Sequence, residues 1–111
     1  MTSPTQLSLK EMRSRGYRCE VVEYWHHFAK CRKDLFGIID ILCLGNGETI
    51  GLQTTDYTSI SKHRTKALES ENLRPWLLAG NRYVLHGWKK KDTEWLLIEE
   101  NFEIPDEGKT H

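Results

Sequence analysis

One acidic residue inside an apolar run constrains this chain more than any other feature. Asp40 lies within Gly37–Leu44, whose other residues are one glycine and apolar side chains. Such a run is typical of a strand that is covered on both faces. Burying a carboxylate costs several kcal/mol, so the group is usually paired, protonated or bound to a metal ion. The run therefore predicts a central strand on which Asp40 has a specific partner.

A second strand is predicted directly after this run. Gly45-Asn46-Gly47 tolerates the positive φ angles of a tight turn, and Glu48–Thr55 has the composition of a return strand. Because side chains alternate across a strand, Gln53 and Thr55 share one face, and that face can bring Gln53 beside Asp40. Carboxylate and amide oxygens are ligands that suit a hard cation such as Mg²⁺. The hairpin therefore predicts a divalent-cation site at Asp40 and Gln53.

The remaining pattern predicts a single α/β domain over residues 1–100, with a central mixed sheet of four to five strands flanked by helices. Ser8 and Glu11 have the spacing of a capping box for the first helix. Residues 26–36 are predicted as a loop or a distorted continuation of the preceding strand. The order α-β-β-β-α-β-β places a helix at 6–15, strands at 18–25, 37–44 and 48–55, a helix at 58–72 with a further helical turn at 74–80, and strands at 82–89 and 94–99.

The charge distribution favours a polyanion as partner, although the formal net charge is zero. Residues 1–91 hold 15 Lys and Arg against 9 Asp and Glu, whereas residues 92–111 hold 1 against 7. Because binding depends on the local field, the basic part of the chain can face a nucleic acid. Residues 101–111 are predicted as an acidic tail that either covers this basic surface or is solvated.

The composition, with 38% hydrophobic and 29% charged residues, is that of a soluble globular protein. The sequence has no apolar run long enough for a bilayer and no secretory signal, so a cytoplasmic location without membrane contact is expected. The three cysteines and the histidines match no zinc-binding spacing. The four tryptophans are expected to pack in the core or at a sheet edge rather than to stack on bases.

Three segments together resemble the core of the PD-(D/E)xK nuclease superfamily: Gly16-Tyr17 after a helix, Gly-Ile-Ile-Asp40-Ile, and Gly-Leu-Gln53-Thr-Thr55. The resemblance covers roughly residues 6–90. It is greatest to small Holliday-junction-resolvase-like and VRR-NUC-like members, which are often of phage or prophage origin. That family places an Asp on one strand and, after twelve intervening residues, an acidic residue, any residue and a lysine on the next. Asp40 and Gln53 have this spacing.

Two positions depart from the family pattern. Gln53 stands where the family has an acidic residue, and Thr55 stands where it has a lysine. Some members have a glutamine at the acidic position and a lysine relocated to the following helix. The resemblance therefore implies that Lys66 or Lys62 takes the role of that lysine, since residues four apart share one helix face.

The resemblance implies further contacts around this site. Mg²⁺ or Mn²⁺ is the expected cofactor, and Asp34 is the favoured additional metal-binding acid. The alternatives for that acid are Glu23, Glu20 and Glu11. DNA is the expected partner, and the side chains expected to contact it are Arg32, Lys33, Thr55, His63, Lys89 and Lys90. A domain this small covers few phosphates, which allows for a homodimer as in resolvase-like relatives.

Three functions fit these features. The first, implied by the resemblance, is a restriction-endonuclease-like, metal-dependent DNA endonuclease for which branched DNA is one candidate substrate. Asp40 and Gln53 would then bind the cation. The second is a catalytically weakened module of the same fold, which binds nucleic acid or a protein partner, because the family's acid and lysine are replaced. The third is an inhibitor or regulator whose acidic tail mimics a nucleic acid.

Overall fold

The computed structural model describes residues 2–104 of the 111-residue chain. Within them the helices are α1 (Pro4–Ser14), α2 (Ile60–Glu69) and α3 (Leu73–Leu78), with a 3-10 turn at Tyr57–Ser59 before α2. The strands are β1 (Arg18–Val21), β2 (Tyr24–His26), β3 (Cys31–Lys33), β4 (Ile41–Gly45), β5 (Glu48–Asp56), β6 (Arg82–Lys91) and β7 (Glu94–Phe102). None of the helices in this range combines the length and the apolar character that crossing a bilayer requires.

A mixed sheet in the order β1-β4-β5-β6-β7 forms the centre of the described residues. β4 runs antiparallel to both β1 and β5, and β7 runs antiparallel to β6. β5 and β6 are parallel, and the connection between them contains α2 and α3. This arrangement confirms the predicted α/β class with a central mixed sheet and flanking helices. β2 and β3 form a separate antiparallel hairpin between β1 and β4.

Several element limits differ from the sequence predictions. The first helix begins earlier, because Ser3 rather than Ser8 caps it in a capping box with Gln6, and Pro4 occupies its first turn. β7 continues to Phe102, two residues into the segment predicted as a tail. Residues 105–111 of that tail lie outside the described residues.

The predicted strand at 37–44 is regular only from Ile41. Phe36 and Gly37 both have positive φ angles (54° and 76°), which turn the chain before the strand begins. The Leu35 amide donates to the Ile39 carbonyl at 2.9 Å and closes this turn. An apolar run thus divides into a buried turn and a strand, a difference that hydrophobicity alone does not encode.

The sheet separates two apolar layers. The layer that faces α1 contains Met12, Cys19, Ile41, Cys43, Ile50, Leu52 and Val84. The layer that faces α2 and α3 contains Ile38, Ile39, Ala67, Leu73 and Tyr83. β4 and β5 lie in the sheet between these two layers. Their side chains therefore point alternately to one layer and to the other.

A buried polar cluster joins α1 to the sheet. Ser8 Oγ lies 2.9 Å from both Thr54 Oγ1 and His86 Nδ1, and the Trp88 indole donates to it at 2.9 Å. His86 Nε2 lies 2.7 Å from a Glu99 carboxylate oxygen. Burial lowers the pKa of His86, although its hydrogen bond to Glu99 acts in the opposite direction. Ser8 and His86 are 0% exposed, so no substrate reaches them and the cluster is structural.

A glycine sets how closely α2 approaches the sheet. A Cβ atom on Gly87 of β6 would lie 2.1 Å from Ile60 Cδ1, far inside van der Waals contact. Gly87→Ala should therefore lower the free energy of unfolding by about 1–3 kcal/mol, as measured by urea unfolding. In an Ile60→Ala background the space is vacated, so the same change should cost much less. Additive losses in the double variant would contradict this packing.

Candidate metal centre

Asp40 is held at the entry to β4 by backbone and side-chain hydrogen bonds. Its amide donates to the Leu52 carbonyl at 2.9 Å, and its carbonyl accepts from Val22 at 2.8 Å. The β4–β5 register pairs Ile41 with Leu52, so the preceding position places Asp40 opposite Gln53. Gln53 Nε2 donates to Asp40 Oδ2 at 2.6 Å. The structure thus brings together the two side chains that the hairpin predicts as neighbours.

Two more carboxylates converge on Asp40. Glu23 lies between β1 and β2, and Asp34 lies directly after β3. Ligating oxygens of Glu23, Asp34 and Asp40 all lie within 4.8 Å of one another. These residues are called the acidic trio below. The favoured extra acid, Asp34, and its alternative Glu23 therefore both belong to the cluster.

The turn before β4 determines where Asp40 lies. Phe36 adopts a left-handed conformation that is unfavourable for an aromatic residue. The Tyr83 hydroxyl donates to the Ile38 carbonyl at 2.5 Å from the adjacent layer of the core. Burial and the nearby carboxylates of Asp40 and Asp34 raise the pKa of Tyr83, so this hydroxyl remains a donor. The hydrogen bond from Tyr83 therefore anchors the backbone two residues before Asp40.

Electrostatics at Asp40 favour either a proton or a cation. Burial, followed by a hydrogen bond with the Asp34 carboxyl, raises the pKa of Asp40 to about 8. The Thr54 amide, which donates to Asp40 Oδ2 at 3.1 Å, acts in the opposite direction. The ion pairs within 4.0 Å found among residues 2–104 do not include Asp40. Three closely spaced carboxylates, of which the most buried is costly to ionise without a partner, suit a hard divalent cation.

The two less buried members of the trio, Glu23 and Asp34, each form an ion pair with a basic residue. Lys66 Nζ on α2 lies 3.7 Å from Asp34 Oδ2, and Arg32 Nη1 lies 2.9 Å from Glu23 Oε1. A cavity of about 400 Å³ opens beside Lys66, and its lining includes Lys62, Thr65 and the turn at residues 36–38. Both lysines that the resemblance implies therefore lie along one opening, with Lys66 in contact with the trio.

The other predicted contact residues are spread more widely. Thr55 is 7% exposed, so little of its surface is available for direct contact. His63 Nδ1 lies 2.9 Å from the carbonyl of Ser59, the N-cap residue of α2. Lys89 lies over the Tyr57 ring and Lys90 over the Trp95 ring, towards the end of β6. Their roles in binding DNA stay predictions.

Two alternative acids lie outside the trio. Glu11 pairs with Arg15 on α1 at 2.8 Å, and Glu20 is exposed on β1. The sequence signal that could have selected Glu23 and Asp34 is their position at the two ends of the β2–β3 hairpin. Pairing of the strands between them necessarily brings those ends together.

The raised pKa of Asp40 predicts a pH-dependent stability difference. A carboxylate whose folded pKa exceeds its unfolded value stabilises the fold below the unfolded pKa, and this contribution is lost as the pH rises through about 8. Asparagine mimics the protonated form at every pH. In chelator at about pH 9, Asp40→Asn should therefore be more stable than the wild type by about 1–3 kcal/mol.

Urea unfolding of both proteins across the pH range measures this difference, which should vanish towards acidic pH. Glu20→Gln, at an exposed position on β1, is the matched control and should show no such divergence. Parallel stability profiles for Asp40→Asn and the wild type would show that Asp40 carries no buried charge.

Comparison of the chain with protein-family models, with curated proteins and with solved structures finds no match.

Proposed function

We propose that this protein is a metal-dependent deoxyribonuclease that uses Mg²⁺ or Mn²⁺ to hydrolyse phosphodiester bonds. The observation that carries the proposal is the acidic trio, in which buried Asp40 contacts Gln53 and converges with Glu23 and Asp34. The spacing from Asp40 to Gln53 and the position of Lys66 agree with the PD-(D/E)xK resemblance. Branched DNA remains a candidate substrate within this proposal.

The donor set fits the proposed cation. Asp40, Asp34 and Glu23 offer carboxylate oxygens, and the Gln53 carbonyl oxygen is not used in its bond to Asp40. Hard divalent cations prefer such all-oxygen surroundings. When bound there, the metal ion would activate water and neutralise charge on the phosphate.

The chain's own side chains have distinct tasks in this proposal. Gln53 and the Thr54 amide both donate to Asp40 Oδ2, which fixes the orientation of that carboxylate. Lys66, which is half exposed and already beside Asp34, provides an ammonium that can meet a phosphate oxygen or orient the water. Lys62 lines the same opening and adds positive charge for the backbone of DNA.

One observation favours the second candidate, a binding module of the same architecture. Gln53 is neutral and donates a hydrogen bond to Asp40, so the site has one carboxylate fewer than an acidic residue would give it. A weaker metal site reduces catalysis while leaving the basic surface unchanged. Such a module would bind DNA with a strong dependence on salt but would not cleave it.

Cleavage assays test the nuclease proposal directly. With Mn²⁺ or Mg²⁺, linear and branched DNA should be cut, and chelator should abolish the reaction. Asp40→Asn should lower the rate by about 100-fold or more, because it removes the central ligand. Lys66→Ala should lower the rate by about 10-fold or more while leaving the fold intact.

Lys10→Ala is the matched control for Lys66→Ala, since Lys10 is an exposed lysine on α1, across the sheet from the trio. It should cleave like the wild type. Titration with Mn²⁺ followed by thermal unfolding provides a readout that does not need turnover, because a bound ion stabilises the folded state. Cleavage that survives Asp40→Asn, or a cation that stabilises both proteins equally, would contradict the proposal.

A further inference from the structure

The hairpin of β2 and β3 is a large feature of the fold to which the proposed cleavage site assigns no role. It lies outside the central sheet and pairs its own strands, Tyr24 with Lys33, Trp25 with Arg32 and His26 with Cys31. Isolated two-stranded hairpins are marginally stable in water. Aromatic side chains that stay exposed on such a hairpin add little to the stability of the fold, because they bury little apolar surface. The hairpin therefore carries side chains that the folded core does not need.

Its aromatic side chains face solvent. Phe28, at the tip, is 96% exposed, and Tyr24 and Trp25 are 53% and 51% exposed. Trp25 does not lie in the core; it lies on an edge strand of the separate two-stranded sheet, with about half of its side chain exposed. The His26 ring lies 6.3 Å from the Phe28 ring, so the tip presents two neighbouring ring systems.

The charge of the hairpin is of one sign. Residues 24–33 include Lys30, Arg32 and Lys33 and contain no Asp or Glu. All three basic side chains are exposed. Cross-strand pairing sets Lys33 beside Tyr24 on the face that also carries His26, and Arg32 beside Trp25 on the opposite face, so each face has a ring next to a cation. The basic side chains of such a surface can bind phosphate groups, and its aromatic side chains can stack on flat rings.

The position of the hairpin decides which ligand fits best. Its first strand follows Glu23, and its second strand precedes Asp34, so both ends are members of the trio. A ligand on the hairpin therefore extends directly towards the proposed cleavage site. In duplex DNA the base faces are stacked and closed to aromatic side chains, whereas unpaired bases are open to them.

We infer that the β2–β3 hairpin binds unpaired nucleotides next to the scissile phosphate, which makes DNA with a single-stranded segment the preferred substrate class. This inference rests on the proposed nuclease function. Phe28 and Tyr24 stack on bases, and Lys30 and Lys33 contact the phosphates between them. Forks, flaps and single strands meet this requirement, and continuous duplex does not.

Binding in chelator separates this inference from catalysis. Fluorescently labelled single-stranded, forked and continuous duplex oligonucleotides of matched sequence are titrated with protein, and anisotropy gives the affinity. The wild type should prefer the single-stranded and forked probes by about 10-fold over duplex. Phe28→Ala and Tyr24→Ala should each remove about 10-fold of the single-strand affinity and leave duplex affinity nearly unchanged. Lys33→Ala should weaken binding to all probes and reduce its salt dependence.

Leu78→Ala is the matched control, because Leu78 is a large apolar side chain, 62% exposed, on α3 rather than on the hairpin. It should bind like the wild type. Because Phe28 makes almost no buried contact, its variant should also unfold like the wild type, so lost affinity cannot come from misfolding.

Equal affinity of Phe28→Ala, Tyr24→Ala and the wild type for the single-stranded probe would overturn the inference. So would a wild type that binds duplex as tightly as single strands. Binding of the aromatic tip to anionic vesicles instead of the probes would assign the hairpin to a membrane surface. Preserved single-strand binding without any cleavage would count against the nuclease and leave the hairpin's role as a strand-binding element standing.

Discussion

The burial of Asp40 is the constraint around which the rest of this structure is arranged. Burying a carboxylate costs free energy of folding, and two hydrogen bonds to Asp40, from Gln53 and from the Thr54 amide, offset part of that cost. A proton or a cation on the carboxylate can offset more of it. The turn before β4, in which the Ile38 carbonyl accepts a hydrogen bond from the Tyr83 hydroxyl, leads directly into that residue. The positive φ angle of Phe36 is a conformational cost of this same turn.

The sheet and its helices place different chemistry on its two faces. The face towards α1 holds a closed polar cluster around Ser8 and His86, which satisfies buried groups and admits no ligand. The face towards α2 holds Gln53 and opens beside Lys66. A hydroxyl, an imidazole and a carboxylate in sequence therefore do not make a catalytic site when the hydroxyl and the imidazole are closed to solvent.

Much of the fold could be read from the sequence, because its strongest signals are local. The hairpin of β4 and β5 follows from an apolar run, a glycine turn and a return strand, and it placed Gln53 beside Asp40 correctly. The turn inside residues 35–40 could not be read, since its residues are as apolar as a strand. The exposed β2–β3 hairpin was also missed, because Tyr24 and Trp25 continue the strand-like composition of residues 18–22, and nothing in the sequence marks the break between β1 and β2. Glu23 and Asp34 became neighbours only through the pairing of that hairpin.

The chain brings the acids and the lysine of the site together in different ways. Glu23, Asp34, Asp40 and Gln53 meet through the pairing of two hairpins. Lys66 lies on α2, inside the connection between β5 and β6, and reaches Asp34 only when that helix packs on the sheet. Hairpins close through local contacts, so the oxygen cluster can assemble before the ammonium arrives. In the proposed nuclease, binding of the cation during synthesis would then precede the ability to act on a phosphate.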